Sequence, residues 1–123
     1  MLYSALVGLA ALAILLQGLW AGIFLQHDGR GDDAATWIDV QSAGAYVALI
    51  LAATAAVVAV LRLRSRGDLL IGSVVLTLLL VIEIGIGVAV GAGTDGLTMV
   101  HIPLAMIIMG LAVWLPLRAR STS

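Results

Sequence analysis

A histidine and a proline enter the last long apolar run of this chain, in Met99-Val100-His101-Ile102-Pro103-Leu104-Ala105. A polar ring about one helical turn inside a hydrocarbon layer costs free energy unless it finds a partner. Few other side chains carry chemistry: His27 beside a glycine-rich acidic loop, Gln41 early in the second apolar run, and Glu83, the one carboxylate inside a run. Imidazole serves as a metal ligand or a hydrogen-bonding switch, and an intramembrane carboxyl serves as a proton carrier. No serine–histidine–acid array, paired-carboxylate site or phosphate-binding loop can be assembled, so an independent enzyme is not expected. Gly85-Ile86-Gly87 and Gly91-Ala92-Gly93 read as packing or helix-end signals, because no strand precedes them. Asp28, Asp32, Asp33 and Asp39 lack the spacing of a calcium loop and read as a solvated surface.

The elements that must position these groups are set by composition. Of 123 residues, 63% are hydrophobic, and the mean hydropathy is +1.19, far above the roughly half-apolar makeup of soluble domains. A membrane span takes about 20 residues. Four runs qualify, at residues 2–25, 40–61, 69–91 and 97–117. The expected fold is an all-α membrane protein, a single domain over residues 1–123 forming an antiparallel up-down bundle of four transmembrane helices. No charged residue precedes the first run, which argues against a cleaved signal peptide. Trp37 and Trp114 suit membrane interfaces, Asp39 is expected to cap a second helix starting near Val40, and Pro116 lies near the expected end of the fourth. The absence of cysteine excludes disulfides, thiolate metal sites and covalent haem attachment through cysteine.

All six basic residues are arginines: Arg62, Arg64 and Arg66 in the second connection, Arg118 and Arg120 after the last run, and Arg30 alone in the first loop. By the positive-inside rule both termini are expected to be cytoplasmic, with His27, Gln41 and His101 towards the outer (periplasmic or extracellular) face of a cell membrane. No basic patch suits nucleic acid. The expected surroundings are the lipid bilayer, together with a membrane protein partner or a second copy of the chain.

Counting about 1.5 Å per residue from the outer helix ends puts Gly22, Gly44 and Gly87 near the level of His101 and Gln41. One reading is a pocket whose glycines admit a planar cofactor such as haem, with His101 as an axial ligand and His27 as the second by residue type. The other is that glycine simply packs membrane helices, that His101 bonds a neighbouring carbonyl or serine, and that His27 is solvated. Gln41 could bond a propionate, a water or His101 itself. Glu83 falls about five residues deeper by the same count. It is either a proton carrier coupled to the outer site or a neutral acid bonded to Gln17 or a carbonyl.

Three segments carry a resemblance: Leu16-Gln17-Gly18-Leu19-Trp20-Ala21-Gly22, Ile38-Asp39-Val40-Gln41-Ser42-Ala43-Gly44-Ala45-Tyr46 and Val100-His101-Ile102-Pro103. The chain resembles a family of small four-helix prokaryotic membrane proteins, and more distantly one four-helix half of haem A synthase and small membrane b-type cytochromes. The resemblance implies one histidine early in helix two and another early in helix four, a pair suited to haem b. His101 matches the second position, whereas Gln41 occupies the first. Glu83 stands where the pattern implies an uncharged polar residue. The expected function is haem binding or electron transfer near the outer face; the alternatives are a small proton-coupled transporter using Glu83 and a non-catalytic subunit of a larger membrane complex.

Overall fold

The computed structural model describes residues 2–26, 33–93 and 95–121. Four helices, α1 (Leu2–Gln26), α2 (Asp33–Arg62), α3 (Gly67–Gly91) and α4 (Thr98–Arg120), account for nearly all of them, with one 3₁₀ turn at Asp95–Leu97. All four are long and apolar enough to cross a membrane. His27, Asp28, Arg30 and Asp32 lie outside the described residues, as do the side chains of residues 33–38.

The helices close a ring in which α1 packs on α2 and α4, and α3 packs on α2 and α4. Short connections make the neighbours antiparallel, so the expected up-down bundle is the observed fold. One end gathers the described arginines, and the other carries His101. Large apolar side chains such as Leu12, Ile50, Leu78 and Ile107 point outwards from every helix. In water these faces would form an apolar surface far larger than soluble monomers tolerate; in a bilayer they meet lipid.

Close packing is concentrated towards the arginine end. Ala48, Ala52, Ala55 and Ala59 are buried and recur at spacings of four, three and four, giving α2 a small-residue stripe that lets its neighbours approach. Val7, Leu69, Leu76, Ile108 and Leu115 fill the space around that stripe. Gly72 is equally tight: a Cβ built there would lie 2.6 Å from Leu115 Cδ2 and 3.4 Å from Trp114 Cζ3. The buried Ser73 hydroxyl donates to Leu69 O at 2.7 Å and meets Tyr3 Oη at 2.5 Å. This contact ties α1 to α3 across the diagonal of the bundle. Outside it, Asp68 accepts from Arg66 Nε at 3.2 Å and from Arg118 Nε at 2.8 Å, clamping the α2–α3 turn to the end of α4.

Several boundaries differ from expectation. Helix α2 starts at Asp33, well before Val40, so Asp39 lies inside the helix and does not cap it. Ala34 and Ala35 are strong helix formers, and acidic residues favour a helix start, which explains the extension beyond the apolar run. Helix α4 carries Pro116 internally and runs on to Arg120. A proline loses only one backbone donor, and the following residues still find acceptors, as Ser121 N does at Leu117 O. At the other end, α3 closes through Gly93, whose φ of 104° is in the region glycine tolerates best.

Candidate functional site

The partner of His101 is Glu83. His101 Nδ1 lies 2.9 Å from Glu83 Oε1, with the glutamate side chain 13% exposed and the histidine 29%. Glu83 and Gly87 are four residues apart and therefore share one face of α3. The imidazole lies along that face: Nδ1 reaches Glu83, and a Cβ built on Gly87 would sit 3.6 Å from Cε1. One turn of helix, about 5.4 Å, is thus spanned by a single ring and a flexible carboxylate stem.

The pair borders a cavity of about 750 Å³ lined by all four helices. Gln17 contributes from α1, Gln41, Ser42 and Tyr46 from α2, Glu83 and Gly87 from α3, and His101 from α4, within otherwise aliphatic walls. The 2.9 Å approach lacks the alignment of a directed hydrogen bond, so both Glu83 oxygens and His101 Nδ1 are buried with hydrogen-bonding capacity unmet among the described residues, and so, separately, is Gln17 Nε2. Four such atoms around one cavity in a small bundle are unusual, because buried polar groups are nearly always satisfied.

The residues expected to form a site are only partly assembled. His101, Gln41 and Gly87 share the cavity with Glu83. Gly44 lies beside it, its Cα facing the carboxamide of Gln17, and Gly22 is on the exposed surface with open space around it. Counting residues sets depth but not the face of a helix, and only Gly87 has both. His27 lies outside the described residues. Glu83 lies one turn below Gly87, which is at the level of the ring, and the two side chains close the remaining distance. Tyr46 and Gly18 also line the cavity. Their signal in the sequence was slight: a tyrosine five residues after Gln41 and a glycine next to Gln17, both in apolar runs.

Among the described residues, no group of three or more His, Cys, Asp or Glu side chains forms a metal site. The only intramembrane acid–base pair on the described helices is Glu83 with His101. Fold and site together define a multi-pass, all-α membrane protein with an acid–imidazole pair inside a helix-lined cavity. No family model, curated protein or solved structure matches the chain.

Proposed function

We propose that this protein is a small proton-coupled transporter in which Glu83 and His101 exchange protons with the cavity they border. The observation that carries the reading is their 2.9 Å contact inside a membrane-spanning bundle. Intramembrane acids and histidines are costly to bury, and their common use is to relay protons or bind ions. Two adjacent titratable groups share protons as a unit, so the pair accommodates a proton without leaving an isolated charge. Tyr46 on α2 is the other ionisable group facing the cavity; α1 contributes the neutral Gln17. The excess of arginine at one end supports cytoplasmic termini, which would turn the pair's end of the bundle outwards.

The test is proton uptake into proteoliposomes under an imposed pH gradient, followed with an entrapped pH dye. Glu83→Gln abolishes the protein-dependent flux while the protein stays monodisperse and helical. Flux equal to wild type in that variant would refute the proposal.

A second reading is favoured by the same contact. An imidazole held at Nδ1 by a carboxylate presents Nε2 outwards, the arrangement that orients metal-ligating histidines. His101 would then hold a haem b in the cavity through Nε2. Bound haem would supply one-electron chemistry, with Glu83 setting the ring's orientation and protonation. A visible spectrum of protein from haem-replete cells, and again after haemin addition, tests this. A haem band lost in His101→Ala is the expected result, and no band in either sample overturns the reading.

A further inference from the structure

The cavity has features that proton exchange alone does not use. It is large, its walls are mostly apolar, and Leu15, Ile102 and Met106 belong both to its lining and to the outer surface of the bundle. Tyr46 on α2 and Val88 on α3 do the same, so the cavity reaches the lipid-facing surface of the bundle on several sides. Its described lining contains one acid and no arginine, and both oxygens of that acid have unmet hydrogen bonds. Tyr46 offers an aromatic ring, while Met106 and Met109 offer soft, adaptable contacts.

We infer that the cavity binds an apolar organic monocation, a lipophilic ammonium or phosphonium ion entering from the bilayer, in exchange for a proton on Glu83. This inference rests on the proton-exchange reading of the pair and names its substrate class. When the cation enters, the carboxyl releases one proton, so one positive charge replaces another and the net charge of the cavity is unchanged. Burial of the ion is then offset by the carboxylate, which would otherwise stand with an incomplete partner. An organic anion would meet the same carboxylate with no compensating base, apart from His101. That asymmetry selects the sign of the ligand.

The experiment is calorimetric titration of tetraphenylphosphonium into the purified full-length protein, in two buffers of different ionisation enthalpy, against protein-free micelles. The expected result is saturable binding with release of about one proton per cation. Glu83→Gln weakens binding by about a hundredfold and removes the proton release. Gly18→Leu is a second variant that leaves the carboxylate in place. A Cβ at Gly18 meets open space, so the larger side chain can enter the cavity without forcing the backbone, and it lowers cation binding by about tenfold or more, as expected when a ligand's space is filled. Binding that is absent, insensitive to Glu83→Gln, or unaccompanied by proton release overturns the inference. The carbonyl band of the Glu83 carboxyl is titrated by infrared spectroscopy on the same preparations without the cation. If Glu83 takes up and releases a proton there while tetraphenylphosphonium fails to bind, the substrate class alone is wrong; if it does not titrate, the underlying proton-exchange reading falls too.

Discussion

At the scale of single residues, the site depends on what a ring and a carboxylate can reach across one face of α3. Gly87 leaves room for the imidazole, but a methyl group there meets Cε1 at 3.6 Å, an ordinary contact distance. Gly87→Ala should therefore keep the pair and add helix stability of about 0.5–1 kcal/mol. Gly87→Leu should push the ring off Glu83. Thermal unfolding in detergent checks the first expectation, and the imidazole nitrogen chemical shifts of His101 check both. At the opposite end, Tyr3→Phe removes a hydroxyl from Ser73, whose own bond to Leu69 O remains. The expected loss is about 0.6–1 kcal/mol, measured by the same unfolding assay.

At the scale of elements, α3 and α4 meet closely at Gly72. A methyl at Gly72 would lie 2.6 Å from a terminal carbon of Leu115, which is fully buried. Gly72→Ala should therefore cost about 1–3 kcal/mol through overpacking and lower the melting temperature. The four spans were legible in the sequence because hydropathy and the positions of arginine and glycine mark them directly. The start of α2 was not, since Ala34 and Ala35 extend the helix where hydropathy has already fallen. The pairing of His101 with Glu83 was hidden for another reason. Residue counts from helix ends give depth but neither the reach of a side chain nor which faces meet, so Glu83 read as out of reach and Gly22 and Gly44 read as neighbours of the histidine. Gln41 was legible as a cavity residue because it falls early in its helix on the same side as His101.

At the scale of the whole molecule, the described arginines and the acid–imidazole pair occupy opposite ends of the bundle. This polarity predicts how the chain sits in the membrane. The protein has no cysteine, so single cysteines at Ser65 and Gly96, both exposed, report sidedness without background. In intact cells an impermeant maleimide should label Gly96→Cys and spare Ser65→Cys; the reverse pattern would invert the proposed orientation. A bundle packed at one end and hollow at the other also suits the division proposed for it, with Ser73, Gly72 and the alanine stripe holding the fold while the other half keeps room for an ion.

The central claim is that Glu83 and His101 titrate as one unit. Infrared difference spectroscopy across a pH titration measures it directly, because a protonated carboxyl has its own carbonyl band. The band should be present in wild type, absent in Glu83→Gln, and displaced in both frequency and midpoint in His101→Asn. A Glu83 band that titrates identically with and without His101 would contradict the account.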